Sequence, residues 1–222
     1  MAKPVVIVVG ADKGGVGKTT VSRTLLDYFD ANGIPTRAFD TESPRGTLKR
    51  FHPDITEIVD MTTTSDQMKI FDTLNAAAPC VTVIDVRAGL MSPALASLRD
   101  IGFLDAAKSG LITFAVFHML GPSIASLDEI AETANFMQGA KYFLVKNFIN
   151  DTNFFEWDKA TYNFYFRKLQ DAIELSILNS TKWRLSRSKL LRCRSSNSRP
   201  TKARMISPQT IHLCYAAMSA IG

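Results

Sequence analysis

The stretch that most constrains this chain lies near its start. Val5, Val6, Ile7, Val8 and Val9 form an uninterrupted apolar run, residues 10 to 20 read Gly-Ala-Asp-Lys-Gly-Gly-Val-Gly-Lys-Thr-Thr, and Leu25, Leu26, Tyr28 and Phe29 then recur at helical spacing. The order is strand, glycine loop, helix. A loop of small residues lets successive backbone N–H groups turn inward around phosphate oxygens, and the N-terminus of the following helix adds its partial positive charge. Gly14, Gly15, Val16 and Gly17 supply that loop. By the mechanics of such a motif, Lys18 reaches the β- and γ-phosphates of a nucleotide, the Thr19 hydroxyl coordinates Mg2+, and Thr20 sits over the α-phosphate.

The literal pattern G-x-x-x-x-G-K-[ST] is not met, because its first glycine would fall where Asp12 stands. The segment has the form K-G-G-x-G-K-T instead, and in this it resembles the ParA/MinD family of P-loop ATPases, whose relatives include ArsA, the nitrogenase iron protein and the CobQ/CobB synthetases. The resemblance implies that Lys13 reaches across a dimer interface to the partner's phosphates.

Length and composition fit one α/β domain. The chain has 222 residues with 46% hydrophobic content, enough for a proper core. No charge-free apolar run of spanning length is present, and Val5 to Val9 is too short for a signal sequence, so the expectation is a cytoplasmic protein without a membrane span. Cys80, Cys193 and Cys214 form no C-x-x-C pair and no framework, which fits a reducing compartment and argues against a metal or Fe–S site, and the scattered His52, His118 and His212 suggest no ligand cluster. The net charge of +5 is unevenly divided. All nine basic residues beyond position 181 lie between Lys182 and Arg204 with no acid after them, so the first 181 residues carry −4 and the tail +9.

Along the chain, the first helix is expected to run to about Ala31, where Asn32-Gly33 offers a left-handed stop. Thr36 to Phe39 reads as a short buried strand that delivers Asp40 to the C-terminal edge of a sheet, where ligands bind in open parallel sheets. Residues 55 to 60 are compatible with another short strand. A helical pattern over 65 to 77 passes through Met68, Phe71 and Leu74 and stops at Pro79. Cys80 to Asp85 is an apolar run closing on an acid, the form of a Walker B strand whose carboxylate binds Mg2+ through its water shell. A helix is expected over 93 to 107, a strand over 111 to 117, a helix through Ile130 and Phe136, and a last clear strand over 142 to 149. This alternation predicts a doubly wound, mostly parallel sheet with helices on both faces.

The family resemblance adds roles to some of these positions. Phe39-Asp40-Thr41-Glu42-Ser43-Pro44-Arg45-Gly46 is similar to the family's D-x-D-P-Q-G stretch, with Ser43 as an apparent insertion. It implies that Asp40 orients the attacking water or the Mg2+ shell, with Glu42 assisting. Val86-Arg87-Ala88-Gly89 departs from the usual T-P-P after the Walker B acid; Arg87 there contacts a partner subunit or a phosphate, or forms a surface salt bridge. The end of the last strand resembles the place where relatives present an asparagine to adenine, which assigns Asn147 to the base. Its amide can both donate and accept, as base recognition requires.

The aromatic-rich segment from Phe154 to Phe166 leads into helix-like spacing at Leu169, Ile173 and Leu175, and reads as core packing or as a partner surface. The expected division is a P-loop ATPase domain over residues 1–178 and a basic, poorly ordered tail over 179–222. Three readings of the tail stand side by side: an arm for nucleic acid, an anchor for an anionic membrane, or a stretch translated out of frame. The third is the expectation, since acids disappear and helical periodicity ends near one point. Shifted codons permit ELDEMASEQVEVA over 178 to 191 and FTPNYSFVLRGYVRHW over 206 to 222, both of which look like closing elements of an α/β domain. The resemblance as a whole implies an ATP- and Mg2+-dependent ATPase that forms a nucleotide-sandwich homodimer and acts in partition or positioning, with non-specific DNA or a positioning partner protein. An ATP-dependent amide-forming synthetase of the CobQ/CobB type, or an ATP-binding switch with negligible turnover, are the alternatives.

Overall fold

The computed structural model describes residues 3–72, 81–121, 125–133, 139–148 and 172–177. Their centre is strand β1 (Val5–Gly10), a continuous β-branched run buried along its whole length. Such a run suits a strand covered on both faces. Around it stand β2 (Thr36–Asp40), β3 (Thr56–Ile58), β4 (Val81–Asp85), β5 (Thr113–Leu120), β6 (Lys141–Asn147) and β7 (Ile173–Ile177), in the spatial order β3-β2-β4-β1-β5-β6-β7. Every pairing among them is parallel.

Side chains along β1 alternate between two cores. Val5, Ile7 and Val9 pack with Val21, Leu25, Leu26 and Phe29 of helix α1 (Lys18–Ala31). Val6 and Val8 face the other way, with Met91, Leu95 and Leu98 of α3 (Met91–Asp100), Phe103 and Leu104 of α4 (Phe103–Lys108) and Ile130 of α5 (Ala125–Thr133). Ile70 of α2 (Thr64–Phe71) joins this second core. The sheet is thus covered by helices on both faces, as the strand and helix alternation predicts.

The chain leaves β1 toward β2 and β3, returns through β4 beside β1, and crosses to β5, β6 and β7 on the far side. The strand order therefore reverses at β1 and β4, and ligands of open α/β sheets bind outside the carboxyl ends at such a point. The loops that follow β1, β2, β4, β5 and β6 all open on that rim. At the opposite rim stand the turns after α1 and α4, where Gly33 and Gly110 take positive φ.

Several expectations are corrected. The helix expected over 93 to 107 is two helices, because the chain breaks at Ile101 and at Gly102, whose φ is 90°. The fifth strand begins at Thr113 and runs to Leu120, beyond the expected end. Residues 142 to 149 are not the last strand. Ile173-Glu174-Leu175-Ser176-Ile177 forms β7, where helix-like spacing was read; the apolar residues alternate with polar ones, and this period of two prevails over the four-residue gap from Leu169 to Ile173. The stop at Pro79, the aromatic segment over 154 to 166 and everything from 178 onward lie outside the described residues.

Candidate nucleotide-binding site

Gly10 ends β1, residues 11 to 17 turn back over the sheet edge, and α1 begins at Lys18. Gly17 sits at φ 99°, and a side chain on it would fall 2.2 Å from the Asn147 amide nitrogen, so both its conformation and its neighbour demand glycine. Helix α1 starts without a side-chain cap and without an acid in its first turn. Its first N–H groups are left for an anion.

Lys18 is buried at the base of this turn, and its ammonium donates to the Lys13 carbonyl at 3.0 Å. Burial lowers its pKa; the carboxylate of Asp85, then those of Glu129, Glu42 and Asp12, oppose that shift. The Thr19 hydroxyl donates to Asp85 Oδ2 at 2.8 Å and Ser22 to Asp85 Oδ1 at 3.0 Å. Asp85 ends β4 and is 4% exposed. Burial pushes its carboxyl up to about 7, Asp40 adds to the shift, and the two hydroxyls and Lys18 work against it. In sheet register Asp40 stands directly beside Asp85.

Asp40 is held by its own loop. Its Oδ1 accepts the Glu42 N–H at 2.9 Å, and its Oδ2 accepts those of Leu48 at 2.7 Å and Lys49 at 3.2 Å. Burial raises its pKa and the three N–H groups moderate the rise. Glu42 receives the Thr47 hydroxyl at 2.6 Å. Thr41 accepts the Arg87 N–H at 2.8 Å, which ties the loop after β2 to the loop after β4. Asn147, at the end of β6, donates its amide to the Val16 carbonyl at 2.9 Å.

A cleft of about 460 Å3 is lined by Gly14, Gly15, Gly17, Lys18, Thr19, Thr20, Asp40, Glu42, Asp85, Arg87 and Asn147, with Thr47, Val86 and Ala88 completing the wall. The sequence-predicted residues therefore converge, with two qualifications. Val16 takes part through its carbonyl, and Lys13 is exposed outside the cleft lining.

No protein-family model matches the sequence, and no match was found among curated proteins. A putative plasmid partition protein from Borrelia burgdorferi B31, solved with AMPPNP, superposes at a TM-score of 0.55 and 11% identity over 98% of this chain and 99% of that one. An ATP complex of Cyanothece McdA gives 0.50 and 11% over 83% and 86%. The cell division protein FtsY from Thermotoga maritima gives 0.52 and 15%, over 80% of this chain and 62% of that one. The fold is that of the P-loop NTPases. The seven parallel strands carry the K-G-G-x-G-K-T loop of this chain at the point where the strand order reverses.

One group next to the P-loop was not read from the sequence. Glu129 of α5 accepts the Asp12 N–H at 2.6 Å, and His118 Nε2 lies 3.1 Å from the same oxygen, within ion-pair distance but not aligned as a hydrogen bond. His118 Nδ1 pairs with the Tyr142 hydroxyl, which lies 3.2 Å from Thr133 Oγ1. Ser126, Glu129, Ile130 and Thr133 occupy i, i+3, i+4 and i+7 on the buried side of α5, so an acid at helical spacing on the side that bears Ile130 was the available signal.

Proposed function

We propose that the chain is an Mg·ATP-dependent ATPase of the ParA/MinD type, which dimerises around its nucleotide and uses the cycle in partition or intracellular positioning. The observation that carries this reading is the meeting of the Thr19 hydroxyl with the Asp85 carboxylate beside Lys18, at the mouth of an uncapped glycine turn. These are oxygen donors from two elements, and Mg2+ is usually held by one or two carboxylates together with substrate phosphates rather than by a protein cage. Mg2+, when bound, supplies neutralisation of the phosphate charge.

The rest falls to the chain. Backbone N–H groups of residues 14 to 20 cradle the phosphates, and Lys18 exchanges its contact with the Lys13 carbonyl for phosphate oxygens. Asp40 has about four acceptor positions, of which three are used by its own loop, so one is left to orient a water at the cleft. Asn147 turns its amide to the adenine edge. Lys13, exposed beside the cleft, acts on the partner's nucleotide.

Calorimetry with sizing chromatography tests the division of lysines. Lys18→Ala is expected to abolish Mg·ATP binding, whereas Lys13→Ala keeps binding and loses ATP-dependent dimerisation and turnover. A Lys13→Ala protein that still dimerises with ATP rejects the assignment. Stimulation of turnover by DNA, by anionic liposomes or by neither then separates a DNA-surface role, a membrane-surface role and a synthetase-like enzyme.

A further inference from the structure

We propose that Glu129 is a positioning residue for Lys13, and that the face of α5 bearing Ser126 and Glu129 seats that lysine. The inference rests on the reading of Lys13 as an active lysine. Glu129 is 5% exposed, and a buried carboxylate is unfavourable unless it is paired or hydrogen-bonded. Its hydrogen bond goes to a backbone N–H of the P-loop, 117 residues earlier in the chain, with the His118 ring held against the same oxygen. The residue so anchored, Asp12, immediately precedes Lys13. Asp12 is also tied from a second side, since its Oδ1 accepts the Met91 N–H at 3.2 Å at the start of α3. Residue 12, one step before Lys13, is therefore held between two helices.

The side chain of Lys13 is guided as well. Its Cδ lies 2.9 Å from where a Cβ on Gly121 would stand, so its stem crosses the end of β5 in space that only glycine leaves open. The Gly121 N–H donates to Ser126 Oγ at 3.1 Å. Ser126 and Glu129 are three residues apart on α5 and so share one side of it. One supports the ground under the stem, the other the peptide at its root. A long, solvated lysine samples many rotamers, and restricting its origin and first direction lowers the entropy lost when the ammonium engages a phosphate. Lys18 does not need this seat, because it is buried and bonded within its own loop.

The test uses the full chain with Glu129→Ala, Glu129→Gln and Gly121→Ala. Glu129→Ala is expected to lower ATP turnover at least tenfold while nucleotide Kd stays within threefold. Glu129→Gln should recover turnover to within threefold of the parent, because the amide oxygen still accepts the Asp12 N–H. A Cβ in Gly121→Ala would meet Ser126 Oγ at 2.7 Å and the Lys13 stem at 2.9 Å, so this variant disturbs the seat and the stem while the Glu129 bond to the Asp12 N–H is kept, and should lower turnover at least threefold at unchanged Kd. Should Glu129→Ala fail to fold, the other two variants decide. Hydrogen exchange supplies a readout independent of activity: in Glu129→Ala the Asp12 amide should exchange at least tenfold faster, with Leu25 in α1 unaffected. A merely structural role would raise exchange at both places and weaken binding together with turnover. Equal losses of affinity and turnover, failure of Glu129→Gln to recover activity, unchanged turnover in Gly121→Ala, or an unchanged Asp12 amide overturn the inference. A parent protein that turns over no ATP overturns the ATPase reading instead, and exchange at Asp12 still decides whether Glu129 sets the turn.

Discussion

Asp85 and Asp40 end neighbouring strands in register, and each is buried where a charge is costly. The consequence for Asp85 has a definite sign. Its carboxyl titrates near 7 when folded against a reference value of 3.8, so between those values the folded protein binds more protons than the unfolded one. Stability therefore falls as pH rises through this window, and the cost is complete above it. In EDTA and without nucleotide, Asp85→Asn should raise the unfolding free energy over the parent at pH 8 by on the order of a few kcal/mol in a denaturant titration, and the advantage should vanish near pH 4. The same substitution should weaken Mg-dependent ATP affinity at least tenfold. Asp40 differs in kind, since its oxygens also hold three N–H groups of its loop. Asp40→Asn should slow turnover while the ATP-bound dimer accumulates, and Asp40→Ala should in addition cost about 3 kcal/mol in a denaturant titration, because buried donors lose their acceptor. Identical effects at both positions on affinity and turnover would reject this division. Asp85 was legible because it closes a contiguous apolar run, and Asp40 because Thr36 to Phe39 reads as a short strand before it; Glu129 was not, because its contacts at 12 and 118 share no local pattern with it.

At the scale of elements, the P-loop turn, α1 and the strand ending at Asp85 were readable for the same reason: their signals are short and contiguous. Strand β7 was misread because five residues at an edge carry a weak period, and Leu169 to Ile173 imitates a helical turn. The break between α3 and α4 was legible in principle from Gly102, yet the apolar spacing runs through it. Contacts between loops were not readable at all. The Thr41 hydroxyl, joined to the Arg87 N–H, holds the loops after β2 and β4 together, and both loops bear residues of the cleft. Thr41→Val keeps the shape and removes the acceptor, so it should lower unfolding free energy by about 1 to 2 kcal/mol and reduce turnover more than nucleotide affinity. Equilibrium unfolding with steady-state and binding measurements checks the pair of effects. A variant matching the parent in both would show that the two loops are placed independently.

For the whole molecule, the distribution of charge makes a prediction that the cleft does not. Nine basic residues lie between 182 and 204, outside the described residues, on a chain whose first 181 residues are net acidic. If that segment engages DNA, neutralising six to nine phosphates should cost roughly 1,000-fold or more in affinity between 50 and 200 mM salt, as released counterions accumulate. Removing residues 182–204 should abolish that dependence and leave ATP binding unchanged; affinity that is flat with salt rejects an electrostatic arm. A frame-restored tail should in turn melt higher than the present one. Among the described residues no helix is long and apolar enough to cross a membrane. The parallel sheet has one further consequence. Because every described strand points the same way, the loops that line the cleft gather on one rim, and among the described residues the opposite rim carries tight turns such as those at Asn32 and Ser109, both solvent-exposed. That margin is a handle: a dye or a surface tether fixed at Asn32 or Ser109 would hold the molecule by the side away from the cleft, with the cleft turned outward to be watched.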